Sequence, residues 1–459
     1  MRVGLVSAHG GVSIGCDLVD RDPAHRDPDG RILTGTGQHI ARLAAELVAL
    51  GHDVRVYQRW TAPDEPAVRE HDGYQVVLIP VGPPAPLPTG DFLADLPQAG
   101  RWLAEQWDAG QWVPDLVHGH FWPGGLAAAA ATGPTGIPLV QTFHSIGSQQ
   151  QRQLGAEYRG PQVRIPLERA LSRVVDAAVA QCTDEVEELA RMGRDRASVV
   201  MIPPGIDTAR FTPDSDPPQR RRRRVLAVGD LTPGYGHEDV IRALRLASDV
   251  DLLIAGGPSR AALNGHPAAR RLRELAQRCA VADQVELVGA VPAAEMPQLY
   301  RSVDVVACTA RYAPSGTVAL EAMACGIPVV GYAHGGVADC VVDAVTGCLV
   351  PVGDVRALGV TLRRLLASEA ERFAYGHAAV DRIRCRYGWE RAAAATERLY
   401  QRVIGLRGPL VPAGSSSAAP LPDGDSIEPV DIEIDLAAIE AAEATAASAA
   451  STVTPARAA

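Results

Sequence analysis

The chain of 459 residues is 47% hydrophobic, has a mean hydropathy near zero and carries a net charge of −10. This length allows two or three domains, each with its own core. No apolar run reaches the roughly 18 residues of a membrane-spanning helix, and the acidic balance argues against nucleic-acid binding. We therefore expect a globular protein of the cytoplasm without a transmembrane segment or a nucleic-acid partner. Assembly into homo- or hetero-oligomers stays open.

The cysteine and lysine contents limit the chemistry further. The eight cysteines are scattered singly, without a CxxC pair, so the sequence indicates neither a zinc site nor a disulfide framework. We expect buried thiols and no metal ion. The chain contains no lysine, so every basic residue is an arginine.

The first predicted unit is a strand over 2–7, followed by the glycine loop GTGQ at 35–38 and a helix that ends near Gly51. A strand, glycine loop and helix form half of a dinucleotide-type unit. The GxGxxG pattern is missing, which argues against an NAD-dependent oxidoreductase. A plain helix start without a ligand stays the alternative for this loop.

Histidines follow the next predicted strands. His118 and His120 lie at the end of a strand over 115–118, and His144 follows a strand over 139–143. Because parallel strands end at the same edge of a sheet, we expect these histidines to approach one crevice. This favours a functional role for His144, whereas a structural role remains the stronger interpretation for the other two.

The end of the first half predicts helices and a linker. We expect a helix over 164–179 and a second helix that Thr183 and Asp184 cap. The stretch 214–224 is rich in proline and ends in five consecutive arginines, which is typical of a solvated, flexible edge.

The second half repeats the alternation of strands and helices. Its predicted strands are 225–228, 252–255, 285–287, 303–307 and 328–331. A helix near 387–404 should cross back onto the first domain. The tail after residue 410 has eight acidic residues against one arginine, so it carries −7 of the net charge. We predict domains at 1–213 and 214–385, a crossing helix at 386–407 and a disordered acidic, alanine-rich tail at 408–459.

The most informative stretch is CTARYAPSGTVALEAMACGIPVVGYAHGG at 308–336. A strand is followed by a turn with Pro314 and Gly316, and a helix then starts at Thr317. The start of a helix presents free N–H groups and positive dipole charge, which suit a phosphate. Glu321, one turn further on, points back toward the same crevice and can accept hydrogen bonds from sugar hydroxyls. By itself this order of elements fits any α/β protein.

The same stretch resembles the signature of glycosyltransferase family 4. In that signature a first Glu is followed, after seven residues, by a second Glu, which is the first residue of EAMACG. The matching residues are Pro314, Gly316, Glu321, Ala322, Met323, Ala324, Cys325, Gly326 and Pro328. Ala313 stands where the family has its first Glu, and Ser315 replaces the usual Phe. The run PPGIDTARFTP at 203–213 is also similar, and the resemblance extends over roughly 1–406.

The resemblance implies the GT-B fold, in which two Rossmann-like, doubly wound parallel-sheet domains face each other across a cleft. It implies a retaining hexosyl transfer from a nucleotide-diphosphate sugar, a co-substrate, to a small-molecule or glycan acceptor, without metal or other cofactor. The implied catalytic residues are His144 and Glu321. The implied donor-binding residues are Thr36, Gly37, Gly229, Gly289, Ser315, Gly316, Thr317, Val318 and Glu321. The implied acceptor-side residues are Gln38 and His120. The glycine loop and the segment DLVHGHFW look most like members that act on small polyols or sucrose-type acceptors.

This chain differs from the family at the two positions whose positively charged side chains contact the donor phosphates. The family has Gly-Arg-Leu-x-x-x-Lys-Gly, whereas this chain has GDLTPGYG, with Asp230 and Tyr235 at the charged positions. Because the chain contains no lysine, a lysine from another segment cannot supply the missing charge. This leaves Arg311 or the arginines of 220–224 as replacements. Losing both contacts should slow transfer by roughly three to six powers of ten, at about 2–4 kcal/mol each.

Three functions therefore stay open. The first is a working glycosyltransferase with altered donor contacts. The second is a catalytically impaired relative, a pseudoenzyme that binds nucleotide sugar or supports an active partner. The third is another reaction on this fold, either a sugar-nucleotide epimerase or a phosphorylase. The absence of lysine excludes a pyridoxal Schiff base for the phosphorylase.

Overall fold

The computed structural model describes most of the chain: residues 1–7, 35–85, 87, 92–108, 110, 112–213, 222–247 and 249–407. The predicted tail at 408–459 and most of the predicted linker at 214–221 lie outside the described residues. No helix in the described part is long and apolar enough to cross a bilayer.

The first half forms an eight-stranded sheet. Its strands are β1 (Arg2–Ser7), β2 (Asp53–Arg59), β3 (Val68–His71), β4 (Tyr74–Ile79), β5 (Leu116–His120), β6 (Leu139–Thr142), β7 (Ala177–Ala180) and β8 (Val199–Met201), in the order β3-β4-β2-β1-β5-β6-β7-β8. All neighbours are parallel except β3 and β4, which form a hairpin that was not predicted. The strand order reverses at β1 and β5, the position at which open α/β sheets bind ligands.

Helices cover both faces of this sheet. They are α1 (Gly35–Ala49), α2 (Leu96–Asp108), α3 (Phe121–Thr135), α4 (Gly147–Leu154), α5 (Arg164–Val174) and α6 (Thr183–Arg191). Val3 and Leu5 of β1 pack in the core that contains α1, whereas Val6 packs in the core that contains α2 and α3. This alternation follows from the two-residue period of a strand and explains why strands buried on both faces are continuously apolar.

The second half forms a six-stranded parallel sheet. Its strands are β9 (Arg223–Val228), β10 (Val250–Ala255), β11 (Val285–Gly289), β12 (Val305–Cys308), β13 (Val329–Tyr332) and β14 (Gly347–Val350), in the order β11-β10-β9-β12-β13-β14. Its helices are α7 (His237–Ala243), α8 (Pro267–Arg278), α9 (Met296–Arg301), α10 (Thr317–Ala324), α11 (Gly335–Cys340), α12 (Val355–Ala367) and α13 (Glu369–Arg386). The order reverses between β9 and β12. Two Rossmann-like, doubly wound sheets are thereby confirmed, and the predicted domain boundaries stay predictions.

The last helix, α14 (Trp389–Arg407), returns to the first sheet. Ala393, Leu399 and Tyr400 are buried in the core that contains α1 and β1. The chain also crosses at Ile206, whose N–H donates to Tyr387 O at 2.6 Å. The final helix begins at Trp389 rather than at 387.

Some local predictions were wrong. The helix predicted over 164–179 ends at Val174, because Val175 is extended and the following residues join the sheet as β7. Thr183 does not cap α6: it is the first helical residue, and its hydroxyl donates to Asp339 instead. Arg223 and Arg224 do not belong to a flexible edge, since they open β9 and the Arg223 guanidinium pairs with Asp304 at 2.9 Å.

Candidate active site

A cavity of about 770 Å³ lies at the carboxyl ends of the strands, with walls from both sheets. Its first wall includes Thr36, Gln38, His39, Arg42 and His144. Its second wall includes Gly229, Asp230, Tyr235, Ser315, Thr317 and Glu321. The connecting segments contribute Gly205, Ile206, Asp207, Arg210 and Trp389.

Histidines dominate the first wall. His118 and His120 lie two residues apart on β5 and therefore point to the same face. His118 is buried, and its ring nitrogens lie 2.7 Å from Tyr400 Oη and 2.8 Å from Thr142 Oγ1. Both nitrogens therefore have partners inside the protein, as the favoured structural interpretation of His118 expects.

The buried side chain of His120 contacts that of His144. His120 is fully buried, its Nδ1 lies 3.0 Å from His144 Nε2, and the two rings stack at 5.2 Å. His144 lines the cavity and has a φ of +59°, an uncommon backbone conformation outside glycine. His120 does not line the cavity but contacts His144, which we interpret as positioning, and its expected acceptor-side role stays a prediction.

Burial lowers the pKa values of His39, His118 and His120. Desolvation lowers the pKa of His39 to about 4 and that of His118 to about 3. The pKa of His120 falls well below its usual value through desolvation and then through the neighbouring histidines. At pH 7 these side chains can donate or accept hydrogen bonds but supply no positive charge.

The start of α10 forms part of the second wall. Gly316 has a φ of +63°, and a Cβ at this position would lie 2.7 Å from the carbonyl carbon of Gly336. Only glycine fits such a position. Ser315 and Thr317, whose hydroxyls are 2.9 Å apart, line the cavity on either side of it. The unpaired N–H groups of the first turn are therefore next to the cavity.

Glu321 lies one turn further along α10 and lines the same cavity. Its Oε2 accepts a hydrogen bond from Tyr300 Oη at 2.7 Å. Desolvation raises the pKa of Glu321 to about 7, although this hydrogen bond and the charge of Arg210 oppose the shift. The carboxyl group is thus poised to change charge near neutral pH.

The loop after β9 contributes no cation to the cavity. Asp230 is buried, and its Oδ1 accepts from Thr232 N at 2.8 Å. The ring of Tyr235 packs against Gly229, where a Cβ would lie 2.1 Å from Tyr235 Cδ1. Both residues at the family's cation positions therefore hold the loop together while lining the cavity.

The arginines suggested as replacements lie elsewhere. Arg311 lines a separate pocket of about 160 Å³ together with Glu157, Glu238 and Asp239. The described arginines of the 220–224 run lie at the opposite edge, where the strand β9 begins.

Two other arginines reach the cavity instead. Arg42 Nη2 pairs with Asp207 Oδ2 at 2.9 Å, and the Arg210 guanidinium donates to Ala293 O and lies 5.2 Å from the ring of Phe211. Sequence reasoning missed both, together with His39 and Trp389. Arg42 follows the glycine loop by one helical turn, which was the signal available for it.

The remaining predicted site residues lie beside the cavity. Thr36, Gln38, Gly229, Ser315, Thr317, Glu321 and His144 line it, as far as the described residues go. Four other predicted residues do not line the cavity but are adjacent in sequence to residues that do: Gly37, Gly289, Gly316 and Val318. Their roles in binding stay predictions.

Sequence comparison agrees with this architecture. Residues 34–205 match the family model of the glycosyl transferase 4-like domain, and residues 211–382 match that of glycosyl transferases group 1. The D-inositol 3-phosphate glycosyltransferase of Xylanimonas cellulosilytica is 33% identical over 395 residues, which cover 81% of this chain and 93% of the relative. The enzyme of the same description from Salinispora arenicola is 32% identical over 417 residues, covering 85% and 92%. The chain belongs to glycosyltransferase family 4.

Solved structures show which fold this family 4 glycosyltransferase has. Sucrose-phosphate synthase from Thermosynechococcus elongatus superposes with a TM-score of 0.75 at 25% identity, over 88% of this chain and 99% of that one. Anabaena HepE, solved in complex with UDP and glucose, has a TM-score of 0.65 at 17% identity, over 88% and 100%. These similarities confirm the expected GT-B fold.

Proposed function

We propose that this family 4 glycosyltransferase transfers a hexosyl group from a nucleotide-diphosphate sugar to a hydroxyl group, with retention at the anomeric carbon. The proposal depends on one observation: His144, Glu321 and the residues at the start of α10 line the same cavity. The complex of Anabaena HepE with UDP and glucose supports a donor of this class.

The cavity suggests an order for the donor. Glu321 accepts hydrogen bonds from the ribose hydroxyls, and the base lies toward Ala290 and Val291, which also line the cavity. The diphosphate lies at the first turn of α10, where N–H groups and the helix dipole stabilise negative charge. The sugar then extends toward His144.

In the proposed reaction the bond between the anomeric carbon and the diphosphate oxygen breaks, and the acceptor oxygen forms its bond from the same face. The departing phosphate takes the proton of the acceptor hydroxyl, so no protein base is needed. The His144 imidazole contacts the sugar, and the α10 amides stabilise the diphosphate as its charge develops. The proposal includes no metal ion and no cofactor besides the co-substrate.

The acceptor we propose is a small polyol or its phosphate. The relatives described as D-inositol 3-phosphate glycosyltransferases support a cyclitol of this kind. Gln38 and His144 both line the cavity, and we place the acceptor next to Gln38.

One observation favours a second candidate, a relative that binds nucleotide sugar without turnover. Asp230 brings a carboxylate to the cavity at a position where the family carries a cation. A like charge about 4–5 Å from a phosphate costs up to about 3–4 kcal/mol at an effective dielectric constant near 20.

Calorimetry with a panel of nucleotide-diphosphate sugars and free nucleotides, followed by a product assay with inositol phosphates and other polyols, separates the candidates. Binding followed by glycoside formation with the donor's anomeric configuration supports the retaining transferase. Binding without product supports the second candidate. Absence of binding to every donor would contradict both.

A further inference from the structure

Three histidines form a cluster on the first wall of the cavity. His39, His120 and His144 each present a ring nitrogen, and the three nitrogens all lie within 4.8 Å of one another. His120 Nδ1 and His144 Nε2 are already 3.0 Å apart. The His39 ring meets the His144 ring edge-on at a centroid distance of 4.9 Å. The residues come from α1, β5 and the segment after β6, so only the folded sheet brings them together.

The spacing of these nitrogens suits a transition-metal ion. Zn²⁺ binds imidazole nitrogens at about 2.0–2.1 Å, so two nitrogens of a tetrahedral site lie about 3.3 Å apart. The pair at 3.0 Å is close to this value, and the upper limit of 4.8 Å exceeds it by about 1.5 Å. A rotation of the His39 side chain covers such a difference.

The surroundings also favour metal ligation. Imidazole binds a metal ion through an unprotonated ring nitrogen, and each of the three rings offers one such atom to the cluster. The His39 ring packs against Trp389 at 5.2 Å, and the His118 ring supports that of His120 at 4.2 Å. His118 is itself held by Tyr400 and Thr142. Such support from behind orients metal ligands.

We propose that His39, His120 and His144 together bind one divalent transition-metal ion of the Zn²⁺ type. The fourth coordination position faces the cavity, because His39 and His144 line it. This position would take water or an oxygen of a bound ligand. For both nitrogens to bind the ion, the proton between His120 Nδ1 and His144 Nε2 moves to the other nitrogen of the ring that carries it, so that each ring stays neutral.

This site has one consequence for turnover, which rests on the proposed function. A metal ion that engages His144 removes this imidazole from the sugar. The ion is therefore an inhibitor of the transferase rather than its cofactor.

The test is a titration of the metal-free full-length protein with Co²⁺, followed by competition with Zn²⁺. We expect one Co²⁺ per chain with the visible absorption of a tetrahedral site, and no near-ultraviolet band from thiolate ligands. His39→Gln should weaken Co²⁺ binding by at least about 100-fold, more than the loss of an outer-shell partner. The exposed His377 on α13 provides the matched control, because His377→Gln should leave the affinity unchanged.

A third variant guards against a folding defect. His39→Cys should restore binding and add the thiolate band that the wild type lacks. Circular dichroism and nucleotide calorimetry show whether each variant remains folded. The proposal is overturned if the wild type binds no stoichiometric Co²⁺, if His39→Gln binds it equally well, or if the wild-type complex shows thiolate ligation.

Inhibition is measured separately as the ratio of rates with and without Zn²⁺ for each variant. Inhibition of the wild type, reversed by a chelator and lost in His39→Gln, supports the consequence for turnover. Stoichiometric binding without inhibition would overturn that consequence but leave the site. A failure of the proposed transferase activity leaves the Co²⁺ titration unaffected, so the two can be told apart.

Discussion

The two segments of the second half that line the cavity, the loop after β9 and the start of α10, differ in how they can hold a phosphate. The loop after β9 depends on side chains, and here Asp230 and Tyr235 occupy the family's cation positions. The start of α10 depends on backbone N–H groups, which any sequence supplies as long as Gly316 allows the turn. Side-chain charge can therefore be replaced without changing the fold, whereas helix amides remain for as long as the helix does.

The largest expected effect comes from breaking the backbone site. Gly316→Val introduces a Cβ that would lie 2.7 Å from the Gly336 carbonyl carbon at a φ of +63°, so the turn must move. We expect nucleotide affinity to fall by more than about 1,000-fold, since misplaced amides lose several charge-assisted contacts together. Calorimetry with the preferred nucleotide measures this change.

Gly136→Ala is the matched control for Gly316→Val. Gly136 has a similar φ of +69°, and nothing lies within 4 Å of its virtual Cβ. It follows α3, and it does not line the cavity. A loss of affinity in this variant equal to that of Gly316→Val would mean that general strain, rather than the α10 amides, is responsible.

The next effect tests the side chain that α10 does contribute. Glu321→Ala removes the acceptor for the ribose hydroxyls, and hydrogen bonds to a charged group contribute about 1.5–3 kcal/mol. We therefore expect nucleotide affinity to fall by about 10- to 100-fold. Tyr300→Phe, which removes the hydroxyl that donates to Glu321 at 2.7 Å, should have a smaller effect. Equal affinities for Glu321→Ala and the wild type would remove Glu321 from the donor site.

The pH dependence of binding sharpens the same point. Because desolvation raises the pKa of Glu321 to about 7, the carboxyl group becomes protonated as the pH falls below this value. The ionised form is the better acceptor, so nucleotide affinity should decrease from pH 8 to pH 6 in the wild type. Tyr300 and Arg210 also face the carboxyl group: the hydrogen bond from Tyr300 and the charge of Arg210 both oppose the rise in the pKa of Glu321. Calorimetry on Glu321→Gln should show a flat profile over the same range.

A smaller effect is expected when a positively charged side chain is restored to the loop after β9. Asp230→Arg replaces a like charge by a cation near the diphosphate but loses the hydrogen bond from Thr232 N. We expect the rate of transfer to rise by about tenfold, part of the 2–4 kcal/mol that one such contact supplies. Asp230→Asn keeps an oxygen that accepts from Thr232 N and removes only the charge. The rate of transfer should therefore rise less in this variant. A decrease in rate for both variants would show that this loop does not face the developing charge.

The smallest effects concern the arginines. Arg210→Gln removes a cation that lines the cavity near Glu321, and we expect nucleotide affinity to fall by about fivefold, equivalent to about 1 kcal/mol. Arg311→Gln is its control, because Arg311 lines the separate pocket, and its affinity should not change. A larger effect at Arg311 than at Arg210 would contradict the cavity as the donor site.

The amino-acid sequence by itself determined much of this protein. The alternation of apolar strands and helices predicted two doubly wound sheets, because periodicity is a local property of the chain. The segment at 308–336 predicted the family and the start of α10, since its glycines, proline and Glu321 are close neighbours along the chain. Asp230 and Tyr235 were recognised as departures from the family pattern because they also lie close together along the chain, in the segment GDLTPGYG.

Only the tertiary structure decided which side chains share the cavity. It selected Arg42 and Arg210 over Arg311, and it placed His39 beside His144 although 105 positions separate them along the chain. It also placed His120 behind His144. These relations depend on strand order and on the return of α14, which bring together residues that no local pattern connects. Local sequence encodes the elements and their turns, whereas the arrangement of the strands determines which residues meet.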